Sequence, residues 1–255
     1  NDSKIHDLLT DKNLLIMYLS AFLQKFLMIL TFVCVSFALI HHFLLDEDEL
    51  WLIYTPSAII GTLAMGPASI FAQKKGQFKA VMLFGICAFV LSYFLMAYAV
   101  KESEKWLILL MMIVFFMGFA VLEPIMQSLA SRYPKAHQKG AALGIFTTLG
   151  YVGSALGGMC GGWLYEAVGV FSLSLIVAVI CIIWAILLIL FLSNPKNHKN
   201  VYLKLEGNIA SRLNKLDTLQ GIIEWYINQN EHIAIIKYDA TLIQEAAILW
   251  VFKGA

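Results

Sequence analysis

The chain has 255 residues, of which 60% are hydrophobic and 14% charged, whereas soluble domains run at about 45–50% apolar and about 25% charged. With a mean hydropathy of +0.76, these figures exclude an ordinary soluble enzyme and a disordered chain, and a net charge of +1 offers no general attraction for nucleic acid. At roughly 20 apolar residues per span, the length accommodates six membrane spans and a small further module.

The segment 1–12 is polar and opens with Asn1 rather than Met. It shows no signal peptide and reads as a cytoplasmic linker upstream of which processing or truncation has removed something. Six apolar runs follow over 13–195: Asn13–His42, interrupted only by Gln24-Lys25, then Leu50–Ala72, Ala80–Val100, Trp106–Ala130, the glycine-packed Gly140–Tyr165, and Val168–Leu192, closed by Ser193-Asn194-Pro195. Each is long enough to cross a bilayer as a helix. The four cysteines, Cys34, Cys87, Cys160 and Cys181, all lie inside these runs without close spacing and read as small packing residues, neither a disulfide framework nor a metal site.

Loop charges set the orientation. Lys74, Lys75, Lys79, Arg132, Lys135, Lys139, Lys196 and Lys199 occupy alternate loops, eight basic residues against the two, Lys101 and Lys105, of the opposite side. That opposite side carries Asp46-Glu47-Asp48-Glu49, Glu102, Glu104 and Glu166. The positive-inside bias places both termini in the cytoplasm.

After a linker at 196–200 the composition turns polar, and 201–255 reads as a small cytoplasmic α+β domain. A strand is expected at Val201–Leu205, a helix at Ile209–Leu216 after Gly207-Asn208, and a strand at Ile222–Asn228 with Ile223, Trp225 and Ile227 on one face. A turn at Asn228–Glu231 leads to a strand at His232–Asp239, and Asp239 and Thr241 are placed to cap a last helix, Leu242–Phe252. The order β-α-β-β-α is that of a ferredoxin-like module whose final strand is not apparent.

Two charges lie deep within the spans. Lys25 is twelve residues into the first run, where an ammonium costs at least ~2.5–3.5 kcal/mol unless it faces protein or water. It is either a cation of a transport pathway or a structural charge neutralised by a partner. Glu123 lies seventeen residues into the fourth run and is followed by Pro124, expected to kink the helix and free carbonyls that only a cavity or neighbour satisfies. Burial disfavours an ionised carboxyl, which suits a proton carrier. Gln24 adjoins Lys25, and Gln127 lies one turn beyond Glu123 on the same face. The pair would offset each other's burial cost if they met, and the alternative for Glu123 is an interhelical hydrogen bond that only fixes packing.

Gly150, Gly153, Gly157 and Gly161 form one stripe on the fifth span, with Gly158 and Gly162 beside it, a pattern that lets helices approach closely in lipid. Thr147, Tyr151 and Ser154 flank the stripe as candidates to line a polar cavity. His41-His42 beside the acidic run Asp46–Glu49 reads as a solvated loop, since adjacent histidines diverge on a helix. No metal or cofactor is expected, and the sequence offers no nucleophile–base constellation for an enzyme.

The segment Phe71–Lys79 resembles the degenerate loop motif in the C-terminal half of major facilitator superfamily transporters, G-x-x-x-D-R-x-G-R-R. Lys74, Lys75, Gly76 and Lys79 match it, while Gln73 stands at the acidic position and Ser69 at the first glycine. Gly140–Tyr165 is similar to the glycine-rich eleventh helix of the drug-efflux branch. Phe119–Leu129 resembles the tenth helix of YajR-type members, whose C-terminal ferredoxin-like (YAM-type) domain Val201–Phe252 matches in order and length. The resemblance implies that the spans are helices seven to twelve of a twelve-helix transporter, in fold an all-α six-helix half followed by the small domain.

That half would belong to a proton-coupled exporter or antiporter of small molecules or drugs in a bacterial inner membrane. Its partners would be lipid, substrate, proton and the missing N-terminal six-helix half, carried on the same or a separate chain. The competing reading is a membrane-anchored regulatory or binding protein, a truncated transporter whose working part is the soluble tail.

Overall fold

The computed structural model describes residues 8–134, 138–195, 198–204, 216, 219–228, 232–240 and 242–253. It separates into two compact units, Asn1–Pro195 and Lys196–Ala255, with the boundary at Pro195 where apolar sequence gives way to polar.

The first unit is helical. Helix α1, Lys12–Phe37, starts where the Asp11 carboxylate accepts the backbone N–H groups of Asn13 and Leu14 at 2.8 and 3.0 Å, satisfying donors that a helix start leaves unpaired. It runs on through a π-helical turn, Ala38–His42. The second apolar run does not form the single helix its hydropathy suggests. It breaks into α2, Trp51–Thr62, and α3, Met65–Lys75, because Pro67 has no N–H for the Leu63 carbonyl and its ring crowds that turn. Gly76 at φ 64° ends α3 in the left-handed conformation that glycine adopts without strain. Helices α4, Phe78–Glu102, and α5, Lys105–Arg132, follow as an antiparallel pair. Pro124 lies inside α5, which stays helical on both sides of it from Lys105 to Arg132.

Helix α6 spans Lys139–Phe191, 53 residues, which at 1.5 Å per residue is about 80 Å, more than twice the ~30 Å hydrocarbon thickness. It is two helices joined at Gly169, whose φ 75° and ψ 159° are not helical. The arms 139–168 and 170–191 meet α1 in opposite orders. Gly150, Gly153, Gly157 and Gly161 lie against Lys25, Phe22, Phe26 and Val33, running with α1. Trp184 meets Ser20 and Ser193 meets Asn13, running against it. The second arm therefore returns toward the level at which the first began. Among the described residues five helical stretches are long and apolar enough to cross a membrane, the second being α2 and α3 taken together, and the last crosses twice by this geometry. Because the backbone at Gly169 occupies a region almost reserved for glycine, Gly169→Ala is expected to cost about 1–3 kcal/mol, read as a lower Tm in detergent.

Helix α1 is the hub of this unit. Trp184 Nε1 donates to the buried Ser20 Oγ at 2.9 Å, the Thr31 and Tyr93 hydroxyls pair in the interior, and Cys34 Sγ reaches the Gly161 carbonyl at 3.7 Å. Tyr54 Oη donates to the Phe32 carbonyl at 3.1 Å and pairs with Ser36 Oγ at 2.7 Å. Cys34 and Cys181 are buried as packing residues, whereas Cys87 is exposed on α4 and Cys160 is intermediate.

The second unit holds strands β1, His198–Lys204, β2, Ile222–Asn228, and β3, Ile233–Asp239, with helix α7, Glu245–Lys253. The sheet order is β1-β3-β2, both pairs antiparallel, so the connection from β1 to β2 passes over β3. Val201, Ala234, Ile236, Tyr238 and Ile248 form the core. Ile223 does not share the inner face with Trp225. A register shift between Ile222 and Glu224 inserts one residue and reverses the alternation, so Ile222 packs inward and Ile223 is exposed. Ile227 is also exposed. The expected helix Ile209–Leu216 lies outside the described residues except for Leu216, which is buried in the core. Residues 1–7 of the first linker, most of the Asn228–Glu231 turn and the Thr241 cap lie outside them too.

Candidate functional site

Lys25 is thirteen residues from the start of α1, and Glu123 nine from the end of α5. At 1.5 Å per residue they sit roughly 20 Å and 14 Å from one common end of the unit, near mid-depth of a ~30 Å core. That the two ends coincide follows from Tyr133, just after α5, whose Oη donates to the Ser193 carbonyl at 2.6 Å while the Ser193 N–H donates to Asn13 Oδ1 at 2.9 Å.

At that depth four side chains converge. Lys25 Nζ lies 3.1 and 3.0 Å from the two oxygens of Glu123. Gln24 Nε2 donates to Glu123 Oε2 at 2.9 Å, and Gln127 Nε2 to Oε1 at 3.0 Å. The Lys25 ammonium also stands 5.1 Å from the centre of the Phe119 ring, one turn before Glu123, so ring and carboxylate share the cation. Gly150 on α6 closes one side: a Cβ there would sit 3.3 Å from Lys25 Cγ. Gln24 is buried, but the Lys25 and Glu123 side chains keep 32% and 25% of their surface, so the pair opens in one direction. Two formal charges held by neutral amide donors and open on one flank can meet a polar ligand without unfolding the helices around them.

The glycine stripe seats α6 on α1. A Cβ on Gly153 or Gly157 would collide with the carbonyl oxygen of Phe22 or Phe26, and one on Gly161 would lie 3.1 Å from Val33. Thr147 and Tyr151 face outward, Tyr151 being 73% exposed, and Ser154 is half-buried. None of these three joins the Lys25 cluster.

In the loop motif Gln73, Lys74 and Lys75 close α3, Gly76 turns the chain, and Lys79 fastens α4 to the end of α6. The Lys79 N–H donates to Asn194 Oδ1 at 2.9 Å and its Nζ to the Ile189 carbonyl at 2.7 Å. His41 and His42 are exposed, and among the described residues no three His, Cys, Asp or Glu side chains cluster as metal ligands. Phe119 is a contributor that sequence reasoning missed. It had a usable signal, since it stands four residues before Glu123 on the same helical face.

Helices that cross a bilayer, with a charged cluster at mid-depth, define a polytopic membrane protein. A family profile described as Major Facilitator Superfamily matches residues 14–237, and the chain belongs to that family. The chain is 26% identical over 214 residues to the inner membrane transport protein YajR of Escherichia coli K12, covering 81% of this chain and 46% of that protein. An uncharacterized transporter of Buchnera aphidicola is 25% identical over 191 residues, covering 74% of this chain and 48% of that one. The chain thus spans about half the length of the curated relatives it matches.

Proposed function

We propose that this chain is the helix seven-to-twelve half of a proton-coupled secondary transporter that exports small molecules, drugs among them, by alternating access. The observation that carries the reading is the convergence of Gln24, Lys25 and Gln127 on Glu123 at mid-depth, on a flank left open by the surrounding helices. In a two-halved transporter the substrate path runs between halves at that depth. Protonation of Glu123 removes the negative partner of Lys25. A state in which the ammonium finds another partner, from substrate or the opposing half, then gains in population. Thr147, Tyr151 and Ser154 border the same path from α6.

The common end shared by Asn13, Lys79, Tyr133 and Ser193 also gathers Lys12, Lys74, Lys75, Arg132 and Lys139. This supports a cytoplasmic assignment for that end in an inner membrane. The sheet order β1-β3-β2, with β3 between strands joined by a crossover, supports a ferredoxin-like reading of the tail, in which a fourth strand would lie beside β1.

The test is substrate-driven proton movement in proteoliposomes of the intact transporter, followed with an internal pH-sensitive dye and a panel of cationic and neutral drugs. Proton flux that starts on drug addition is expected. Drug flux with no proton movement would remove the coupling assignment.

A further inference from the structure

A second feature of the membrane unit has no part in the proton site. Beside the break between α2 and α3, residues of α3, α4 and α5 line an open cleft of about 500 Å³. Small residues, Ala64, Ala68 and Ala80, and larger ones, Phe71, Phe84 and Met117, line it. Every lining side chain is apolar, and Phe71 and Phe84 are substantially exposed. Such a cleft suits a hydrocarbon chain, with no hydrogen bond to offer anything polar.

What stands at one end of the cleft is the opposite in character. Lys74 and Lys75 close the last turn of α3, three and four residues after the lining residue Phe71, and Lys79 precedes the lining residue Ala80. The Lys75 ammonium is held 4.7 Å from the centre of the Phe71 ring, which fixes a positive charge at the mouth. Lys79 is tied to the Ile189 carbonyl and keeps the turn rigid. Gln73 and Gln77 are the remaining long polar side chains of this turn and carry no charge, so the lysines have no acidic neighbour within the motif.

An apolar slot with two cations at its mouth, at the basic end of the unit, matches one chemistry: an acyl chain joined to a phosphate. We infer that the cleft between α3, α4 and α5 is a binding site for an anionic phospholipid, the chain lying over Ala64, Ala68 and Ala80 and the head-group phosphate meeting Lys74 and Lys75. Basic pockets between spans on the cytoplasmic side select anionic head groups on this principle. Bound there, the lipid fills the cleft beside the α2–α3 break and holds α3 in place.

The test is lipid retention by the intact transporter, extracted in mild detergent, exchanged against phosphatidylglycerol or phosphatidylcholine of equal chain length, and weighed by native mass spectrometry. Phosphatidylglycerol is expected to be retained in preference. In the K74Q/K75Q double variant that preference is expected to fall about 30-fold, from the contribution of two lysines near a charged surface. Ala68→Leu, which enlarges a lining side chain and leaves the lysines, is expected to lose retention of both lipids at this site. Lys12→Gln, on α1, serves as a charge control and is expected to change nothing. Equal retention of the two lipids, or a preference that survives both the double variant and Ala68→Leu, would overturn the site. So would a cysteine at position 68 that cross-links to another helix of the transporter, since protein and not lipid would then cover the cleft. The readout does not involve transport, so it stands or falls separately from the proton site.

Discussion

Replacing Glu123 with glutamine is expected to abolish substrate-driven proton movement while leaving the protein inserted and folded. The amide keeps one oxygen to accept from Gln24 or Gln127, and the helix through Pro124 is unchanged, but the group can no longer take and release a proton. Lys25→Met is expected to lower transport by at least about tenfold, equivalent to ~1.4 kcal/mol of lost bias between states. The two single variants should differ in stability. Without Lys25 the carboxylate still receives two amide donors, whereas without the Glu123 charge the ammonium keeps only the face of Phe119. Stranding one member of a fully buried pair costs about 3–5 kcal/mol. Here a quarter to a third of each side chain is exposed, which reduces the expected loss to about 1–3 kcal/mol. The double variant Lys25→Met/Glu123→Gln separates the roles: it should regain thermal stability and remain uncoupled. Recovery of coupling in that variant would show the pair to be a packing device.

The second large effect is expected at the glycine stripe. Gly153→Ala and Gly157→Ala each drive a methyl group into a backbone carbonyl of α1, and backbone cannot rotate aside as a side chain does. The helices must separate, at about 1–3 kcal/mol for each substitution, seen as a fall in Tm in detergent and in yield from membranes. Gly158→Ala meets only the Ile29 side chain at 3.4 Å, and Gly140→Ala and Gly144→Ala meet nothing within 4 Å. These three should be tolerated. A flat response across all five positions would contradict the close approach of α1 and α6.

The spans were legible in the sequence because hydropathy is a property of single segments, and the six apolar runs correspond to the helices within a few residues at each end. One departure has a local cause. The second run carries enough apolar character for one helix, but Pro67 denies a donor to the Leu63 carbonyl, and hydropathy does not register a missing hydrogen bond. Pro124 presents the reverse case, where α5 stays helical despite the proline.

The meeting of Lys25 and Glu123 could be anticipated only by elimination, as two deep charges in need of compensation. That Gln24 and Gln127 bind the same carboxylate, one oxygen each, depends on helix rotation about axes that no single segment fixes. The stripe was visible as spacing, yet its partner α1 was not, because small residues announce close approach without naming what approaches. In the tail the alternation in β2 misled at Ile223, since a bulge shifts the phase by one residue and leaves no mark in composition.

The hub position of α1 has a mechanical consequence. This helix is joined to α2 through Tyr54, to α4 through Tyr93, to α5 through Glu123, and to both arms of α6 through the glycines and Trp184. A helix fastened to four of its neighbours is not free to turn among them. A change at Glu123 is therefore poorly placed to slide one helix past its neighbours, and well placed to tilt the whole six-helix block at once. The deformable element would then be whatever faces the block, and a spin-label pair placed within it, on α1 and α4, should keep its distance while labels reaching outside it change theirs.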